Sequence, residues 1–209
     1  MERNKGIWIC FEGGDGSGKS TLTKLLYDKY VELNYQCILT REPGGVPLAE
    51  DIRDILLNNG NCEMDDRTEA ILFAASRRQH LVEKILPALE QKKVVISDRF
   101  IESSIVYQGY ARGIGMKEVE ALNLFATQCK YPDITFYIDT PYELAISRMY
   151  TSNRDLDRIE IEGSSFHKKV YEGYEIRLKE SNMVRIDGSK SIEEAMDSIF
   201  NELRRRNYL

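Results

Sequence analysis

The sequence predicts an α/β protein, a three-layer α/β/α sandwich around a five-stranded parallel sheet. Three observations predict it. Short runs of β-branched and other apolar residues recur at 7–11, 37–41, 94–98, 134–139 and 183–187. Helical patterns separate these runs, and strands alternating with helices build parallel sheets. Each run is nearly continuous in apolar residues rather than alternating, as strands covered on both faces require. No repeat, low-complexity tract or Pro/Gly-rich linker interrupts the 209 residues, so a single domain over 1–209 is expected.

The elements follow in order. Strand Ile7-Trp8-Ile9-Cys10-Phe11 leads into a glycine-rich turn, and a helix is expected over 18–33, with Leu22, Leu25, Leu26, Tyr30 and Leu33 on one face. The second strand, 37–41, precedes the turn Glu42-Pro43-Gly44-Gly45 and a helix over 48–58 that carries Arg53. A long helix over 66–91 follows, with Phe73 and Arg77 four residues apart on one face. The third strand, Val94-Val95-Ile96-Ser97-Asp98, leads to a helix over 102–111 bearing Ser103, Ser104 and Gln108, and a further helix covers 116–129. Strand 134–139 and helix 141–150 come before a polar, charge-rich segment, 151–163, that is expected to act as a lid. Helix 164–180, strand 183–187 and helix 191–206 complete the chain.

Composition excludes several classes of function. Hydrophobic residues make up 42% and charged residues 30%, enough for a packed core under a polar surface. A net charge of −5 argues against a nucleic-acid-binding face, and Arg204-Arg205-Arg206 reads as a solvated helix end. No apolar run reaches the length of a membrane span. The first strand begins within a few residues of the start, which leaves no room for a secretory leader. Cys10, Cys37, Cys62 and Cys129 show no C-x-x-C spacing, and Cys10 and Cys37 fall in strands expected to be buried. Free thiols in a reducing cytoplasm are expected.

The chemistry starts at Gly13-Gly14-Asp15-Gly16-Ser17-Gly18-Lys19-Ser20-Thr21, a full match to the phosphate-binding loop (P-loop) pattern G-x-x-x-x-G-K-[ST] between a strand and a helix. The glycines let the backbone approach phosphates closely, and the helix N-terminus and loop N–H groups face the anion. Lys19 is placed to reach the outer phosphates, and the Ser20 hydroxyl to ligate Mg²⁺. The chain is therefore expected to bind a nucleoside triphosphate. In an open α/β sheet ligands sit beyond the carboxyl ends of the strands. Asp98 ends an apolar strand there, where P-loop enzymes place a carboxylate that holds Mg²⁺. Arg99 follows, suited to clamp a second phosphate; the alternative is an ion pair with Asp98 or a neighbour. Phe73 can stack on a base while Arg77, Ser104 and Gln108 address its edge, although the same residues also suit a core and a surface. In the lid, Arg154 and Arg158 lie four apart and can both turn inward, whereas the acidic positions read as solvated.

Taken together, Glu12-Gly13-Gly14-Asp15-Gly16-Ser17-Gly18-Lys19, Thr40-Arg41-Glu42-Pro43-Gly44-Gly45, Phe73-Ala74-Ala75-Ser76-Arg77, Asp98-Arg99, Tyr107-Gln108-Gly109 and Asp157-Arg158 resemble the bacterial thymidylate kinases, in order and over essentially the whole chain. The resemblance implies transfer of the γ-phosphoryl group of ATP to thymidine 5′-monophosphate, in the supply of thymidine triphosphate, by a homodimer. It implies that Asp15 binds the deoxyribose 3′-hydroxyl, Arg53 and Arg99 hold the monophosphate, and Phe73 stacks on thymine. Arg77, Ser104 and Gln108 would then meet the thymine edge, and Glu42 would lie near the accepting phosphate and metal. Phe100 stands where tyrosine often follows Asp-Arg. The P-loop has no internal arginine, so the resemblance implies catalytic arginines from the lid, Arg158 above all and Arg154 beside it. Adenine recognition leaves little trace in sequence; Arg148 is placed beside that base. Two alternatives stand against this. Another small-molecule kinase shares the loop and lid but not the base-edge set. A nucleotide switch would need an N-K-x-D motif where Asp139-Thr140-Pro141-Tyr142 stands.

Overall fold

The computed structural model describes residues 5–151 and 155–209. Five parallel strands form one sheet in the order β2-β3-β1-β4-β5: β1 Ile7–Glu12, β2 Cys37–Arg41, β3 Val94–Asp98, β4 Ile134–Asp139 and β5 Val184–Asp187. β1 sits at the centre, with Ile9 opposite Ile96 on one side and Ile134 on the other. Successive residues of a strand face opposite sides of the sheet, and β1 divides its side chains accordingly. Ile7, Ile9 and Phe11 pack with Leu22, Leu26 and Tyr30 of α1 (Lys19–Glu32) and with Ile199 and Leu203 of α9 (Ile192–Arg205). Trp8 and Cys10 pack on the other face with Leu81, Ile85, Phe100 and Ile105. A third cluster, including Tyr107, Tyr137, Phe166 and Tyr174, lies under α8 (Ser164–Glu180). The sandwich expected from the apolar runs is present, helices on both faces of a parallel sheet.

Most helix ends fall within two residues of expectation, because local chemistry sets them. Asp65 caps α3 (Asp66–His80) by accepting from the N–H groups of Arg67 and Thr68. Ser191 and Glu194 form a reciprocal capping box on α9. The helix expected over 66–91 is not uniform. It passes from α3 through a π-helical stretch, Leu81–Ile85, into α4 (Leu86–Glu90). Pro87 supplies the reason, since it cannot donate to the carbonyl one turn back and its ring crowds that carbonyl, so the winding widens. Likewise α5 (Ile101–Ser104) widens into a π-helical stretch, Ile105–Ala111. There, a Cβ on Gly109 would lie 2.9 Å from Cα of Met116, at the start of α6 (Met116–Thr127).

Two burial expectations change. Leu25 and Leu33 of the first helix are exposed, leaving Leu22, Leu26 and Tyr30 as its buried stripe. Cys10 is fully buried, but Cys37 is only half-buried because β2 is an edge strand. No helix among the described residues is long and apolar enough to cross a membrane.

Candidate active site

The carboxyl ends of β1, β2 and β3 open into a cavity of about 530 Å³. The P-loop forms one wall. Gly13, Gly16 and Gly18 have positive φ, and at Gly16 the need for glycine is absolute, because a Cβ would lie 2.0 Å from the carbonyl oxygen of Ala145 in α7 (Tyr142–Thr151). α1 begins at Lys19 after Gly18, with no side chain capping its first turn, so its N–H groups are free for an anion. Asp15, Gly16, Gly18, Lys19, Ser20 and Thr21 line the cavity; Gly13, Gly14 and Ser17 do not, and Gly14 and Ser17 instead border a smaller cavity with Thr140 and Ala145. Lys19 Nζ folds back onto the carbonyl of Gly14 (2.7 Å) and onto Ser17 Oγ (3.2 Å). Burial and the nearby Arg99 charge depress its ammonium to about 8, against the pull of Asp98, Asp15 and Glu12.

Beside the loop, Ser20 Oγ donates to Asp98 Oδ2 at 2.7 Å. Asp98 Oδ1 is buried with no hydrogen-bond partner. A buried carboxylate oxygen left unpaired next to a hydroxyl and a phosphate loop fits a divalent cation. No three His, Cys, Asp or Glu side chains among the described residues gather into a metal site. Mg²⁺ takes one or two protein oxygens and fills the rest of its shell with phosphate and water.

Arg99 has a left-handed backbone (φ 73°) that turns its side chain back over β1. Its Nη1 donates to the carbonyl of Gly13 and to Ser103 Oγ, and its Nη2 to Asp15 Oδ1 and the Tyr107 hydroxyl. Arg99 therefore pairs with Asp15 rather than with Asp98. Burial works to raise the Asp15 carboxyl, but Arg99, Lys19 and the Tyr107 hydroxyl outweigh it and hold it at about 2. Beneath this pair lies Glu12, wholly buried at the end of β1. It accepts from the N–H groups of Phe100 and Ser103, from Ser103 Oγ, and from the Tyr174 hydroxyl. Burial pushes its carboxyl up, and Arg99 and these donors oppose the shift. Sequence reasoning assigned Glu12 no part of its own; a carboxylate closing an apolar central strand was the available signal.

Across the cavity, Arg53 donates from Nη1 to the carbonyl of Pro43 at 2.9 Å. Phe73, Arg77, Ser104 and Gln108 line the far end together with Glu42, whereas Arg148 lines the cavity beside the P-loop, its Nη1 4.0 Å from where a Cβ on Gly18 would lie. Arg77 is almost fully inaccessible. Its Nε bonds Glu42 Oε2 (2.7 Å), its Nη1 Ser104 Oγ and Asn123 Oδ1, and its Nη2 the carbonyl of Phe100 (2.9 Å). A guanidinium has five N–H donors; these contacts occupy four, leaving one for a ligand. Glu42 is oriented by its remaining oxygen, which meets His80 Nδ1, while His80 Nε2 meets Thr40 Oγ1. His80 was not singled out from the sequence, because its partners lie 38 and 40 residues away.

The lid departs most from expectation. Arg154 lies outside the described residues. Arg158 is not brought to the cavity. It is buried, with Nε on the carbonyl of Leu56 (2.8 Å) and Nη2 on Glu69 Oε2 (2.5 Å). The fully buried Glu69 carboxylate draws the guanidinium inward, since a buried charge is tolerated only when paired. Asp157, read as solvated, instead lines the cavity, and its Oδ1 accepts from the N–H groups of Ile159 and Glu160. Burial raises its carboxyl from the ordinary value.

Comparison with known proteins agrees with this geometry. The thymidylate kinase family profile matches residues 11–199. A thymidylate kinase of Clostridium novyi (strain NT) is 48% identical over 202 residues, covering 96% of this chain and 98% of that protein. One of Shouchella clausii (strain KSM-K16) is 47% identical, covering 96% of each. The crystal structure of thymidylate kinase from Ehrlichia chaffeensis superposes with a TM-score of 0.76 at 35% identity, covering 95% of this chain and 98% of that one. A phosphate loop, a cation-ready carboxylate and an aromatic, amide-lined far end thus occur in a chain that matches these proteins over about 95% of its length. This protein belongs to the thymidylate kinase family.

Proposed function

We propose that this cavity carries out the reaction of the family, moving the γ-phosphoryl group of ATP to thymidine 5′-monophosphate to give the diphosphate and ADP. The observation that carries the reading is the arrangement of one continuous cavity: the P-loop and Lys19 at one end, Phe73, Arg77 and Gln108 at the other, and Arg99 among its lining. ATP lies on the P-loop, with its phosphates on the loop N–H groups and Lys19 and its base toward Arg148. The acceptor lies across the cavity, with thymine against Phe73 and its edge on Arg77, Ser104 and Gln108. Its phosphate meets Arg53 and Arg99, and its 3′-hydroxyl meets Asp15. The acceptor is already a phosphate anion, so no protein nucleophile is needed. The residues hold two polyanions in line and offset their repulsion.

Ser20 and Asp98 would hold Mg²⁺, which when bound neutralises charge on the phosphates. The whole chain serves as one kinase domain, with 151–163 as its lid and Arg154 as the lid arginine. We place it in the cytoplasm, where four free thiols persist. We further propose a homodimer, formed through the neighbouring helices that expose Leu48 and Ile55 of α2 (Pro47–Leu57), Ile71 of α3 and Phe125 of α6, the last 85% exposed.

The test is ADP release from Mg-ATP with a panel of nucleoside monophosphates. Thymidine monophosphate should give the highest kcat/KM. Equal or better turnover of a purine monophosphate or of cytidine-type acceptors would sink the assignment of the far end.

A further inference from the structure

Gln108 donates its side-chain N–H to Glu69 Oε1 at 2.9 Å. Glu69 itself does not line the cavity and is wholly inaccessible. Its two oxygens also receive Arg112, Nη2 at 3.2 Å and Nε at 3.4 Å, and Arg158 Nη2 at 2.5 Å. A carboxylate that collects two guanidinium groups is an acceptor and nothing else. Only the nitrogen end of the Gln108 amide can therefore face it. The two ends of an amide are nearly identical in shape, and partner chemistry decides which way it points. With its nitrogen committed, Gln108 offers its carbonyl oxygen to the cavity, and that oxygen has no partner among the described residues. Glu69, Phe73 and Arg77 are spaced four apart on α3, so the residue that sets the amide stands one turn from the ring and two turns from the guanidinium beside it.

The geometry points to Glu69 as a positioning residue that sets base choice: it locks the Gln108 amide with its oxygen toward the base, so that the site requires a ring N–H donor. Thymine and uracil carry that donor at N3. Cytosine has a lone pair at N3, which would face the Gln108 oxygen and repel it. The single N–H left on Arg77 is the complementary partner for a keto oxygen and mismatches the cytosine amino group. Without Glu69 the amide is free to turn over, present N–H to the base, and accept a cytosine. The inference rests on the proposed placement of the base at Gln108.

The experiment compares kcat and KM for thymidine and deoxycytidine monophosphates in the wild type and Glu69→Gln. A site built around one hydrogen-bonding pattern rejects its mismatch strongly, so Glu69→Gln should reduce the thymidine-over-cytidine ratio of kcat/KM by at least about tenfold, with kcat on thymidine monophosphate within about threefold of wild type. An unchanged ratio, or an equal loss of kcat on both substrates, would overturn the proposal. Arg112→Met removes a charge from the same cluster but leaves the Gln108 bond to Glu69. It should lower the melting temperature and keep the ratio; relaxed base choice there would assign the effect to general loosening. Gln108→Ala separates the two levels. If it keeps wild-type base preference, the placement of the base falls and this proposal with it. If it relaxes preference while Glu69→Gln does not, only the role of Glu69 falls. A further readout needs no variant: N3-methylthymidine monophosphate lacks the donor and should be a poor substrate of the wild type, and turnover equal to that of thymidine monophosphate would overturn the proposal.

Discussion

The Arg99 guanidinium and the Asp15 carboxylate form an ion pair across the P-loop, Nη2 to Oδ1 2.5 Å. All four Nη hydrogens of Arg99 have protein acceptors, Asp15 and Tyr107 on one side, Gly13 and Ser103 on the other. An acceptor phosphate that takes both Nη groups must therefore exchange places with one of them. Asp15 is the natural one to leave, because it is itself an anion and has a sugar hydroxyl to accept from once the substrate is bound.

Asp15→Asn should destabilise the free protein by about 1–3 kcal/mol, since it leaves a mostly buried guanidinium short of its charge partner. The pH dependence has a definite sign. The Asp15 carboxyl is lowered from 3.8 to about 2 in the folded state, so its contribution is complete above 3.8 and is lost as pH falls toward 2. Urea unfolding over that range should show a shallower acid decline in Asp15→Asn than in the wild type. On the substrate side, 3′-deoxythymidine monophosphate should react more slowly than thymidine monophosphate, and Asp15→Ala should narrow the gap; equal discrimination by both proteins would remove the contact.

Lys19 gives a second pH test, at the alkaline end. Its ammonium is depressed from 10.5 to about 8 in the free protein. Because kcat/KM reports ionisations of the free enzyme, kcat/KM for Mg-ATP should fall as pH rises through about 8, rather than holding up to the ordinary lysine range. Between about 8 and 10.5 the unfolded chain holds the proton that the folded one has lost, so Lys19 makes stability rise with pH there. Lys19→Ala should cost at least about a hundredfold in kcat/KM for ATP while leaving the fold intact. A flat wild-type profile to pH 10 would show that Lys19 does not govern triphosphate capture.

Asp98 and Ser20 predict the metal requirement. Asp98→Asn keeps the hydrogen bond from Ser20 available but halves the oxygen donors. It should raise the Mg²⁺ concentration for half-maximal rate by at least about tenfold at fixed ATP. Chelation of Mg²⁺ should stop turnover in both proteins. An unchanged Mg²⁺ titration in Asp98→Asn would place the cation elsewhere.

Arg158→Ala should act on the fold. Glu69 keeps Arg112 and Gln108 when Arg158 is lost, so we expect a loss of about 1–3 kcal/mol, below the full cost of breaking a buried pair. With ATP and thymidine monophosphate saturating, kcat of the folded fraction should stay within about tenfold of wild type. A hundredfold fall in kcat at an unchanged melting temperature would return Arg158 to the transferring phosphoryl group.

How legible the protein was depends on how far each relationship reaches along the chain. The strands, the P-loop between β1 and α1, and the shared face of Phe73 and Arg77 are all local. A run of apolar residues, a glycine pattern and a four-residue spacing specify them, because backbone geometry repeats over a few residues. The resemblance to thymidylate kinases rests on the same short blocks. Charge partners do not follow from periodicity. Ser20 and Asp98 are 78 residues apart, and they meet only because β3 lies beside β1 in the sheet. Arg158 and Glu69 are 89 apart, and nothing near Arg158 in sequence distinguishes a lid arginine that faces phosphate from one drawn into the interior. Asp157 shows the converse, a residue solvated by composition and half-buried by packing. By itself the sequence determined the sheet, the phosphate loop and the set of side chains available to a nucleotide. The tertiary structure decided which of those charges face the cavity and which are consumed by one another, because a buried ion goes to whatever partner the strand order and helix packing bring within reach.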